Sequence, residues 1–191
     1  MQHFNPQMYG PVVAALLTNA KLNELGPGTP ELSMRAPLAA LKPKTVVEPR
    51  PLVNREMALA SIAGLWLRHD FLDDSHRISQ DLDNPSGSYW HAIMHRREGD
   101  FSNSKYWFHR VGDHSIFRPL QIAAHCLAGQ DGARPAARFL VEQSQWDPLG
   151  FVDLCENALH DSHPVHRLCM KIQQCEWELL FDDCYREAID D

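Results

Sequence analysis

Side chains capable of chemistry crowd together between Leu65 and Val111, in LWLRHDFLDDSHRISQDLDNPSGSYWHAIMHRREGDFSNSKYWFHRV. Two runs carry most of them, His69-Asp70-Phe71-Leu72-Asp73-Asp74-Ser75-His76 and His91-Ala92-Ile93-Met94-His95-Arg96-Arg97-Glu98. Residues at i, i+4 and i+7 share one face of an α-helix. His69, Asp73 and His76 have this spacing in the first run, and His91, His95 and Glu98 have it in the second. An antiparallel pair of such helices would bring four imidazoles and two carboxylates together. That donor set suits zinc, iron or manganese and departs from the all-oxygen cage of calcium or magnesium. The expected metal ligands are His69, His76, His91 and His95. The H-E-x-x-H motif of zinc proteases is absent, because Ala92 stands where its glutamate would be.

The same residues also permit metal-free chemistry. His91 or His95 could move a proton near neutral pH, oriented by Asp73 or Glu98. Arg96 and Lys105 could hold a carboxylate or phosphate, with Tyr89, Trp90, Asn103 and Tyr106 completing a substrate pocket. A purely structural account competes with both. In it the histidines cap helices or bond main-chain oxygens, the aromatics fill the core, and Arg96 and Arg97 belong to a solvated basic face. The Asp70 and Asp74 pair is expected in solvent on the opposite face. His160, His163 and His166 read as a polar connection.

The elements that must position these groups follow from apolar period and punctuation. Ile62, Leu65, Trp66, Leu72 and Ile78 recur at helical intervals from Met57 to about Gln80, after a cap at Asn54. Asn84-Pro85-Ser86-Gly87 reads as a turn, followed by a helix over 88–98 that Gly99 ends. A further helix, starting at the Asp100-to-Ser102 cap region and running to Val111, closes a hairpin, and helices are predicted at 117–127, 134–143, 148–159 and 165–187. Alternating β-branched runs are absent, so the class is all-α.

Residues 1–55 hold Pro6, Pro11, Pro27, Pro30, Pro37, Pro43, Pro49 and Pro51, a density that forbids long helices. They read as a proline-rich arm, wrapped over the core or mobile. Short helices are expected after Pro11 and after Thr29, with an extended stretch from Lys42 to Arg50. The remaining residues, 56–191, form a single compact helical bundle.

Composition excludes several classes. A net charge of −7 does not fit a nucleic-acid binder, and no apolar run approaches the roughly 20 residues of a membrane span. The N-terminus lacks the basic start of a signal peptide, and five cysteines without a C-x-x-C read as reduced core thiols, so a cytoplasmic protein is expected.

Two resemblances bear on this reading. The segments Gly87–Trp107 and Glu176–Tyr185 resemble those of a family of small uncharacterised proteins from bacteria and fungi, over about residues 57–188. That resemblance implies a boundary and no mechanism. Ala92 to Val111, with its Gly99-Asp100 turn, small Ser104, Phe108 and Val111, resembles one tetratricopeptide helix pair without a second copy. The expected function is a small helical enzyme or ligand-binding protein acting on a small polar or anionic molecule. Its cofactor is a divalent metal or none, and a homo-oligomer is allowed. The alternative is a non-catalytic adaptor whose hairpin docks a protein partner through Tyr106 or Trp107.

Overall fold

Asn54 accepts from the main-chain N–H groups of Glu56 and Met57 at 3.0 and 3.2 Å and so starts the first long helix of the body. The computed structural model describes residues 4–18, 20–130, 135–159 and 164–190. Its helices, in chain order, are α1 (Gly10–Leu17), α2 (Arg35–Ala39), α3 (Pro43–Val47), α4 (Arg55–Arg68), α5 (Leu72–Ser79), α6 (Pro85–Glu98), α7 (Phe101–Val111), α8 (Phe117–Gln130), α9 (Phe139–Glu142), α10 (Pro148–Ala158) and α11 (Pro164–Ile189). Three short 3₁₀ segments accompany them, and no strand occurs among the described residues. The chain is all-α, as its periodicity predicts. No helix among the described residues is long and apolar enough to cross a membrane.

The expected single helix over 57–80 is broken in two. Arg68 ends α4, and Asp70 takes φ 63°, a left-handed conformation that aspartate tolerates better than most residues. Arg97 Nη2 donates to Asp70 Oδ1 at 2.5 Å and Asn23 Nδ2 donates to it at 2.7 Å, so the break is pinned from two directions. Asp70 is therefore engaged rather than solvated. Asp74 also has partners, Arg35 at 3.3 Å and Arg77 at 3.1 Å.

Asn84-Pro85-Ser86-Gly87 begins a helix instead of forming a turn. Asn84 Oδ1 caps Gly87 N at 2.8 Å and Pro85 occupies the first helical turn, where its missing N–H costs nothing. Gly99 at φ 89° ends α6 as expected. Every residue of α6 from Ser86 to Arg97 is buried, so this helix is enclosed on all sides. Its two arginines are tolerated there because they are paired. Arg96, 1 % exposed, forms a buried ion pair with Glu176 of α11, lies 3.4 Å from Gln173 Oε1, and sits over the Phe151 ring. Burial works against its charge, but Glu176 outweighs that and holds the guanidinium protonated. Arg97 donates to the Leu67 carbonyl at 2.8 Å and to the Gly26 and Pro27 carbonyls at 3.2 and 3.3 Å. The solvated basic face expected for this pair does not exist, because both guanidiniums have found acceptors inside.

The arm is laid on the body and contributes to its core. Tyr9, Val13, Leu16, Leu17, Leu38, Val46 and Val47 belong to the same apolar cluster as Trp66, Trp90 and Trp177. The expected extended stretch from Lys42 to Arg50 contains α3 instead, started by a reciprocal cap between Lys42 and Thr45. The helix expected at Pro30 begins later, with a 3₁₀ turn at Leu32–Met34 running into α2. A second apolar cluster joins α8, α9, α10 and α11 around Leu120, Leu140, Phe151 and Leu168. Cys155, Cys169 and Cys184 are buried free thiols, whereas Cys126 is exposed, against its expected place in the core.

Gly64 shows how closely α4 and α6 approach. A Cβ built there would lie 2.7 Å from Cζ2 of the buried Trp90. In an open helix Gly→Ala stabilises by up to about 1 kcal/mol. Gly64→Ala should instead destabilise by about 1–3 kcal/mol, measured as a lower urea midpoint, because Trp90 has no room to yield.

Candidate functional site

Three of the four expected histidine ligands converge. His76 comes from α5, which packs against α6, and His91 and His95 stand one turn apart on α6. The His91 ring stacks on His95 with centroids 4.7 Å apart and meets His76 edge-on at 4.6 Å. His76 and His95 lie 5.5 Å apart. One ligand atom from each of the three falls within 4.8 Å of the other two. A tetrahedral zinc with Zn–N of 2.0–2.1 Å needs nitrogens roughly 3.3 Å apart, so small side-chain rotations close the set.

His69 does not join them. It caps the end of α4, and its Nδ1 pairs with Glu31 Oε2 of the arm at 3.1 Å. The spacing argument failed there because the helix it assumes stops at Arg68. Asp73 is exposed on α5 and belongs to neither group of possible metal ligands found among the described residues. Tyr89 and Trp90 are core residues: Tyr89 Oη donates to Glu176 Oε1 at 3.1 Å, and Trp90 packs on Trp177. Arg96 is committed to Glu176 in the core and is not free to hold an anion, and Lys105 pairs with Asp153 of α10 at the surface. Tyr106 is 55 % exposed and points away from the core. His160 and His163 lie outside the described residues; His166 Nδ1 lies 2.9 Å from the Ala158 carbonyl.

Glu98 and Asn103 do reach the cluster. His95 Nδ1 lies 2.5 Å from Glu98 Oε1, and since a carboxylate only accepts, that nitrogen carries the ring proton. Asn103 Nδ2 lies 3.0 Å from His95 Nε2. Trp107, unassigned to the site from sequence, covers the inner ring: its centroid is 3.9 Å from that of His91 at 21°. Its i, i+4 relation to Asn103 across α7 is the signal that places both on one face. Asp100, expected only in the cap region of this helix, also stands near the site. It caps α7 through Asn103 N at 3.1 Å and, with His95 and Glu98, makes a second, exposed group of possible ligands.

His91 is the unusual member. It is 2 % exposed, and neither of its ring nitrogens has a hydrogen-bond partner. Buried polar atoms without partners are rare and costly. Burial, then the neighbouring His95 and His76, push its pKa down to about 3. The ring is thus neutral at physiological pH with a lone pair available. No protein-family model, curated protein or solved structure matches the chain. The site's chemistry must therefore be read from its own atoms.

The lowered pKa has a stability consequence with a definite sign. Between about pH 6.5 and about pH 3 the unfolded chain binds a proton at His91 that the folded chain does not, so stability falls as pH drops through this window. The slope from this group is at most about 1.4 kcal/mol per pH unit. Urea unfolding of His91→Leu between pH 7 and pH 4 should lose less stability than the parent. An unchanged pH slope would show that His91 is not buried as a neutral ring.

Proposed function

We propose that the chain is a small metal-dependent protein that holds a divalent first-row ion on His76, His91 and His95. The reading rests on His91, a buried neutral imidazole with two unpartnered nitrogens beside two further imidazoles. A ring in that state gains a partner when a cation arrives, and being unprotonated it gives up no proton to do so. Glu98 supports the reading, because a ligating histidine usually donates its other N–H to a carboxylate, as His95 Nδ1 does here. Three imidazoles without an oxygen donor favour zinc over manganese.

Three protein ligands leave one tetrahedral position open, the arrangement of catalytic rather than structural zinc sites. A metal so held polarises a bound oxygen and makes a bound water acidic. The ligand that fits is a small polar molecule bearing an oxygen. An anion would be held chiefly by the ion itself, since Arg96 is engaged with Glu176 in the core. His76, half-buried, and Glu98, with 39 % of its side chain exposed, stand at the solvent edge, while His91 and Trp107 form the floor.

The adaptor reading keeps one observation in its favour, the outward Tyr106. Trp107, the alternative aromatic of that reading, stacks on His91. Metal analysis decides between them. Protein purified without a histidine tag should retain zinc or bind it stoichiometrically. A hundredfold excess over Kd should raise Tm by roughly 5–10 °C. His91→Ala and His76→Ala should lose the shift while keeping their helical circular dichroism. A parent protein that binds neither zinc nor cobalt has no metal centre.

A further inference from the structure

His95 belongs to two groups of ligand atoms at once. One is the trio with His76 and His91; the other joins it to Glu98 and Asp100, again with one atom of each within 4.8 Å of the other two. A single imidazole can serve both, because it has a nitrogen at either end. Nδ1 faces Glu98 Oε1 at 2.5 Å, which leaves the lone pair for the inner trio on Nε2.

The outer carboxylates can be spared from their present contacts. Asp100 Oδ1 accepts from Asn103 N at 3.1 Å and from the Ser102 hydroxyl at 3.0 Å, so capping α7 uses one oxygen and leaves the second to ligate. Glu98 ends α6 with 39 % of its side chain exposed and has room to draw back. Zinc with bonds of 2.0–2.2 Å needs its donor atoms roughly 3.3 Å apart, so a withdrawal of under about 1 Å admits an ion beside Nδ1.

We propose that His95 bridges two divalent ions, the inner one on His76, His91 and Nε2, and an outer one on Nδ1, Glu98 and Asp100. This rests on the metal reading above. The outer ion replaces the ring proton. The Nδ1–H bond breaks, its electron pair binds the ion, and the proton leaves through the Glu98 carboxylate to solvent. The inner ion fills first and eases this loss, since it already draws charge from the ring. The imidazolate and the two carboxylates each bring one negative charge, which offsets the repulsion of two cations. The ring keeps the ions roughly 6 Å apart, wider than the about 3.5–4 Å of two-metal catalytic clamps. The outer ion therefore acts as a staple between the end of α6 and the start of α7. Its one nitrogen and two oxygens tolerate manganese or iron(II) better than three imidazoles do.

The test is a zinc titration of the full, untagged chain at pH 7.5 in weak buffer. A chromophoric chelator reports the stoichiometry and a pH indicator reports released protons. The parent should bind two zinc ions, the second with release of a proton. Asp100→Ser and Asp100→Asn keep a good helix cap but remove the carboxylate. Each should bind one zinc fewer than the parent, with unchanged helical circular dichroism. A parent that binds one zinc overturns the bridge and leaves the inner centre standing. So does a second zinc that releases no proton, or one that persists in folded Asp100→Ser. A parent that binds none overturns both readings. Should Asp100→Ser fail to fold, Asp100→Asn decides alone.

Discussion

Adjacent arginines buried on one helix organise this molecule. Arg96 reaches toward α11 and meets Glu176, while Arg97 reaches the other way, to the end of α4 and the main chain of the arm. Each is nearly inaccessible, and each uses several of its donors. Replacing a buried pair by apolar groups can be harmless, but removing one partner strands the other at a cost of about 3–5 kcal/mol. The two arginines thus fix α6 in rotation as well as position. Its rotation in turn decides which way His91 and His95 face.

The site inherits its properties from that enclosure. A histidine on an amphipathic surface helix would have water at one nitrogen. On a helix buried all round, His91 has aromatic and imidazole faces instead, and its charge is suppressed. His95, one turn further along, lies close enough to the helix end to find Glu98 and Asn103. Two rings four residues apart therefore differ in kind, one without partners and one bonded to a carboxylate.

The legible and illegible parts of the sequence divide along a physical line. Asn54, Gly99 and Asp100 act on their immediate neighbours, so the start of α4 and the α6–α7 turn could be read directly. The apolar period that joins Leu65 and Trp66 to Leu72 and Ile78 runs on across a real break. Only Arg97, 27 residues away, and Asn23, 47 residues away, hold Asp70 in the conformation that makes it. Arg96 looked solvated for the same reason, its partner being 80 residues distant. The histidine spacing on α6 survived because it lies within one helix. The spacing that included His69 crossed the break and did not.

Arg97, Arg68 and Gln173 hold the segment 21–27 by its peptide oxygens at Lys21, Glu24, Gly26 and Pro27, and Arg68 also by the Asn23 side chain. Carbonyl groups are common to every amino acid, so this grip does not read the identity of the clasped residues. Lys21, Glu24, Gly26 and Pro27 are thus held without regard to their side chains, whereas Asn23, bonded to Asp70, and the buried Leu25 are not. The residues doing the clasping have no such freedom, and inherited variation in this protein should fall unevenly across the two sides of that contact.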